Sequence, residues 1–174
     1  MKNFKIKKNE KQTIRIDKPG RYRVELVGEG AEVEIGGGFV GRDRERLAVE
    51  IEVIHKAKNT TAKTQIRGVV DDEAQARIVG TIRVLPGAVK TNSFLTEKIL
   101  ILSDKARAEA VPNLEIEADD VKCSHAATVG KIDEEQLFYL MSRGLRRSQA
   151  EAMMVEGFLA PVVYPMLSSG VEVA

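Results

Sequence analysis

Apolar and polar residues alternate with period two through the first 118 residues, in FKIKK, TIRID, YRVEL, AEVEI, LAVEIEVI, KILIL and LEIEA. Strands with one buried face read this way. The alternation also recurs: Ile51, Ile66, Ile82, Ile99 and Ile116 follow one another at spacings of 15, 16, 17 and 17 residues. Turn-forming pairs trail the last four by three to five residues, at Asp71-Asp72, Pro86-Gly87, Ser103-Asp104 and Asp119-Asp120. Each interval is expected to hold a strand, a turn, a second strand and another turn. Coils of a solenoid, each burying a face on the next, give such a period. An antiparallel sandwich, with turns every ~8–12 residues, gives a similar one, and spacing alone leaves both open.

From Ile132 the period becomes helical. Asp133 and Gln136 have capping-box spacing, and Leu137, Leu140, Met141 and Leu145 fall on one face, with Gly144 as the stop. Ser148 and Glu151 form a second box, opening a helix with Ala152, Met153, Val155, Phe158 and Leu159 as apolar positions that Pro161 and Pro165 should end. The expected organisation is therefore a β body over 1–131, with N-terminal capping strands, and a helical hairpin with a loose tail over 132–174.

Composition narrows the function. Lys plus Arg number 27 against 26 for Asp plus Glu, so bulk charge does not point to nucleic acid or an anionic membrane. No run approaches the ~20 apolar residues of a membrane span, and one cysteine among 174 residues fits a reducing cytoplasm. The segment EIGGGFVGRDRERLAVEI lacks the ending of a phosphate-binding loop and precedes a strand pattern, so it reads as a glycine-rich turn. The paired aspartates sit where turns are needed, and Ser/His/Asp, CxxC and HExxH arrangements are missing from the sequence. The chain is not expected to be an enzyme.

The lone Cys123 and His125 are two apart, so a strand puts them on one face with Val121, Ala127 and Val129. Pattern alone reads them as a buried thiol and a hydrogen-bonded core histidine. Two ligands do not complete a four-coordinate soft-metal site unless a two-fold interface supplies the others. His55 opens a polar turn and is expected to be solvated or capping. Arg143, Arg146 and Arg147 read as a solvated face.

The segments HKAKNTT (55–61), RGVV (67–70), VGTIRVLPGAVKTNSF (79–94), ILSDKARAEAVPNLEIEADDVKCSHAATVGKIDEEQLFYLMSRGL (101–145) and GF (157–158) resemble the core of the SufB/SufD family of iron–sulfur assembly proteins. The resemblance implies a mainly β fold, a shortened right-handed parallel β-helix followed by C-terminal helices. It implies a scaffold role in a SUF-type complex, with a SufC-like ABC ATPase on the helices and a SufB-like subunit, or a second copy of the chain, at the β-helix end. Leu137, Tyr139, Met141, Arg143, Arg146 and Phe158 become candidate partner contacts. His125 matches a SufD histidine of the CSH motif and, with Cys123, becomes a candidate cluster or metal contact. The family's SufB cysteine falls at or next to Glu97, where this chain has no thiol, and the glycine that usually follows the motif histidine is Ala126. The chain alone is therefore expected to hold no cluster stably, although one could form in the assembled complex. A stand-alone homo-oligomeric β-helix protein binding a metal ion or a partner is the alternative. A carbohydrate-active β-helix enzyme is disfavoured by the 5% aromatic content, the lack of tryptophan and the lack of a carboxylate pair within a strand.

Overall fold

The computed structural model describes residues 1–163 and the backbone of Glu172–Val173. Ten strands follow in order: β1 (Lys2–Ile6), β2 (Lys11–Ile16), β3 (Gly20–Leu26), β4 (Glu32–Gly41), β5 (Arg46–His55), β6 (Thr61–Val70), β7 (Gln75–Val84), β8 (Asn92–Ile101), β9 (Arg107–Ile116) and β10 (Lys122–Lys131). Odd strands build one sheet, β1-β3-β5-β7-β9, and even strands the other, β10-β8-β6-β4-β2, continued by β11 (Glu172–Val173). Every pairing is parallel. The fold is a parallel β-solenoid and not a sandwich.

Register corrects the expected repeat. From β3 onward, paired residues lie 29 to 32 positions apart, as in Arg46↔Gln75 and Gln75↔Arg107. One interval between the marker isoleucines thus holds a single strand and a single turn, and a coil takes two intervals. Ile51, Ile82 and Ile116 belong to one sheet, Ile66 and Ile99 to the other. Strands of ten residues are longer than the alternating fragments suggest, because the pattern runs on through small residues such as Gly68 and Gly80.

The inward positions of the two sheets form one core, containing Ile14, Ile35, Ile51, Ile66, Ile82 and Ile99. Outward, ion pairs cross neighbouring strands, as in Arg23–Glu52 at 2.7 Å and Arg83–Glu115 at 2.7 Å. Such exposed pairs contribute about 0–1 kcal/mol each. Turns on both sides of the solenoid carry residues with positive φ, among them Asn59, Asp72 and Asp120. The Asp pairs do the turn-forming work expected of them.

Residues 1–50 are coils of the same solenoid, with β1 on β3 and β2 on β4. Gly36, Gly37, Gly38 and Gly41 lie inside β4; the turn follows at 42–45. Their use is close approach. A Cβ on Gly38 would lie 3.3 Å from Val162 and 3.5 Å from Leu159, because a helix rests on this strand.

That helix is α2 (Arg147–Val163), which follows α1 (Glu134–Ser142). Asp133 caps α1 as expected, accepting bonds from the N–H groups of Glu135 and Gln136, and Gly144 follows at φ 96°. The second box is displaced. Gln149 accepts a bond from the Arg146 N–H at 3.0 Å, while Glu151 pairs with Arg147 at 2.8 Å. Pro161 does not stop the helix at once, since α2 runs two residues beyond it, and Pro165 lies outside the described residues. Among the described residues, no helix is long and apolar enough to cross a membrane.

Candidate functional site

The sequence-predicted pair lies on β10, the terminal strand of its sheet. Main-chain groups of successive residues in a parallel strand point alternately to its two neighbours. Lys122 and Ile132 donate to Thr91 and Ile101 on the β8 side, so the N–H and C=O groups of Cys123, His125, Ala127 and Val129 face the open edge. The inward face of this last coil is only half covered. Leu114, Ile116 and Val129 occupy core positions by register, yet remain 45%, 42% and 42% exposed.

The His125 side chain turns inward and is 4% exposed. Its Nδ1 lies 3.4 Å from the carbonyl oxygen of Asn113. Its Nε2 faces Glu97 of β8, 3.5 Å from Oε2, and Glu97 is fully buried. Among the described residues, neither Glu97 oxygen nor His125 Nε2 has a hydrogen-bond partner. Across the core, Gly80 of β7 keeps the space open: a Cβ there would collide with Glu97 Oε1 and come within 3.0 Å of His125 Cε1.

Cys123 stacks on Ser93 in the same register and packs against the core. Burial pushes its thiol up, partly offset by the Ser93 backbone N–H. A raised pKa keeps the sulfur protonated and weakens it as a ligand at neutral pH. Iron–sulfur clusters are usually held by four thiolates, and this chain has one cysteine, so its own residues do not fit that ligation. Among the described residues, no group of three or more His, Cys, Asp and Glu could hold a metal ion.

His55 departs from expectation. It is fully buried, with Nδ1 2.8 Å from Thr60 Oγ1 and Nε2 2.9 Å from Ser93 Oγ. Burial pushes its pKa down to about 4. It is a neutral histidine that joins the turn after β5, through Thr60, to β8, through Ser93.

The candidate partner contacts separate into two groups. Leu137 is fully buried, sharing a small core with Ile132 and Ala150; an apolar helical face found its first partner in the solenoid. Phe158 is half-buried against Arg67, whose guanidinium lies 5.3 Å from the ring and bonds the Phe158 carbonyl. Tyr139 and Met141 are exposed, and Arg143 lies 5.2 Å over the Tyr139 ring. Arg146 also faces solvent. Phe138, not singled out from sequence, is 73% exposed. It sits between Leu137 and Tyr139, and only the direction of the helix tells which of the three turns outward.

Residues 19–158 match the family model described as SUF system FeS cluster assembly, SufBD core domain. The chain is 38% identical over 147 residues to iron–sulfur cluster assembly protein SufD of Bacillus subtilis, covering 84% of this chain and 34% of that protein. It is 41% identical over 104 residues to SufD of Escherichia coli, covering 60% and 25%. An iron–sulfur cluster assembly SufBD family protein of Pyrococcus horikoshii is 35% identical over 137 residues, covering 79% and 30%. The matched stretch spans about a third or less of each relative's length.

Proposed function

Because the chain belongs to the SufB/SufD family of iron–sulfur cluster assembly proteins, we propose that it serves as a SufD-like scaffold subunit of a SUF-type complex, without catalysis of its own. The observation that carries this reading is the open last coil. Core-position side chains stay exposed there beside an unpaired strand edge, and such an edge is a template for another strand. The occupant we assign is a like coil end, from a SufB-like subunit or, for the purified chain, from a second copy. The helices offer a separate surface, Phe138, Tyr139, Met141 and Met153, all exposed, which we assign to a SufC-like ATPase subunit. With one thiol per chain, no cluster is held stably by the isolated protein; a cluster would be cargo of the assembled complex. This reading carries with it the cytoplasmic setting expected above.

The test is co-purification of the full chain with a SufC-like subunit. Phe138→Asp combined with Tyr139→Asp should abolish capture while leaving the circular dichroism of the solenoid unchanged, since neither side chain is buried. Capture at wild-type levels would remove the helices as the docking site.

A further inference from the structure

The turns that lead from odd to even strands form one column along the solenoid. Asn9, Gly30, Asn59, Lys90 and Asp120 occupy it with positive φ, one in each coil. Each turn donates to the next in a single direction: the Asn9 N–H to Glu29 at 3.0 Å, Gly30 to Lys58 at 3.4 Å, Asn59 to Val89 at 3.0 Å and Lys90 to Asp120 at 2.8 Å. The two ends of the column are therefore complementary. Asp120 has no further turn to donate to, and Lys8, in the position of Glu29, has no earlier turn to accept from. Charge follows the same direction. Residues 1–23 carry nine Lys and Arg against Glu10 and Asp17, in a chain whose net charge is +1. Lys7 and Lys8 of the first turn are exposed, as are Glu117, Asp119 and Asp120 of the last. Among the described residues, none of these five side chains has an ion pair.

We propose that the first coil is a second docking surface, which takes the last coil of another copy of this chain, and that β11 holds it shut. Glu32 donates its N–H to the Glu10 carbonyl, so even positions of β2 face β4, while Lys11, Thr13 and Arg15 face the outer edge. There β11 pairs with β2 at Ile14 and Arg15, two of the six residues that β2 pairs with β4. The occupant of the uncovered edge follows from charge and ladder. Lysines on a first coil repel another first coil and attract the acidic turn of a last coil. A last coil seated there also covers its own exposed Leu114, Ile116 and Val129. Contact of last coil with first coil is head-to-tail, and such contacts run on into open chains unless a rotation closes them. With β11 in place only the last coil is offered, and a closed pair results. The inference rests on the proposed reading in one respect, that the last coil is a pairing edge, and adds what confines pairing to that end.

The experiment deletes residues 171–174 from the full chain, which removes β11, and follows average mass by light scattering over a range of concentrations. The wild type should stop at the closed pair. The deletion variant should grow with concentration, to at least about twice the wild-type mass. Adding Thr13→Pro should return it to wild-type size, because that N–H faces the edge and not β4. Lys7→Glu with Lys8→Glu should also stop the growth. Glu117→Lys with Asp119→Lys in the same chain should restore it, since only a last coil on a first coil sets these turns against each other. Thermal melts check that each variant folds. A deletion variant of wild-type mass overturns the proposal. So does growth that ignores the reversal at Lys7 and Lys8, or a reversal that the second pair does not repair. A wild type that captures the ATPase subunit, beside a deletion variant that does not grow, sinks the second surface and leaves the scaffold reading standing. Growth of the deletion variant, beside a wild type that captures no ATPase subunit, does the reverse.

Discussion

The two ends of the solenoid are built by the same strand pairing and finished differently. At the first coil, Ile6, Ile14 and Ile16 are at most 1% exposed, with β1 at the end of its sheet and β2 followed in its sheet by β11. That coil advances by only 20 to 21 residues instead of 29 to 32, so it is shorter than the coils that follow. Lys2 and Lys5 on β1, with Lys7 and Lys8 in the next turn, put charge along the edge, and β11 pairs with β2 at Ile14 and Arg15. Lysines on an edge discourage further strands. At the last coil, full-length strands leave Leu114, Ile116 and Val129 exposed, and among the described residues no shorter coil follows. The lesson is that exposure of core-position residues at one end is a feature of that end, since the same fold closes its other end with shorter strands and charge.

The largest expected contrast comes from equivalent truncations. Ile14→Ala at the closed end removes a fully buried side chain and should cost about 2–5 kcal/mol of stability. Ile116→Ala at the open end, where the side chain is 42% exposed, should cost under about 1 kcal/mol yet weaken self-association. Urea melts with light scattering on each variant measure both quantities. Equal stability losses would mean that the last coil is as well covered as the first.

Acid should act on the body between the ends. His55 has a folded pKa of about 4 against about 6.5 in an unfolded chain. Between these values the unfolded state binds more protons, so stability is full above about pH 6.5 and falls as pH drops toward 4, by on the order of 3 kcal/mol. His55→Asn should flatten that slope in melts taken from pH 7 to 4. A dimer that dissociates well above the pH at which the body melts would show instead that acid acts at the open end.

Much of this was legible in the sequence. Alternation and turn pairs marked the strands, and Asp133 and Gly144 marked the limits of α1, because these signals are local. The length of a coil was not legible, since nothing local distinguishes half a coil from a whole one; that depends on which strand pairs with which. The glycines of β4 read as a turn because the helix that needs them is more than a hundred residues away. His125 was found through its motif, whereas Glu97 and Gly80 were missed as site residues. A signal for both exists. Leu95–Glu97–Ile99 and Ile78–Gly80–Ile82 each break an apolar inward phase, the first with a carboxylate and the second with the glycine that makes room for it. His55 was misread because its partners, Thr60 and Ser93, lie on the following turn and on the next coil.

The finest contrast lies within the open end itself. Pro112 on β9 stands at a position whose N–H would face the open side, since Arg107 and Glu117, at odd positions, donate to β7. It costs the internal ladder nothing and blunts β9 as a template. The inward-phase residues of β10 from Cys123 to Val129 contain no proline, so under the proposed reading β10 is the strand expected to pair. A proline scan separates its two sides. Ala127→Pro removes a donor that faces only the open edge, so it should lower self-association at least tenfold while shifting the melting temperature little. Thr128→Pro, one residue on, removes a donor used by β8 and should destabilise the fold by about 3 kcal/mol. Analytical ultracentrifugation and thermal melts on the two variants read the outcomes. If Ala127→Pro associates like the wild type, β10 is not the pairing edge.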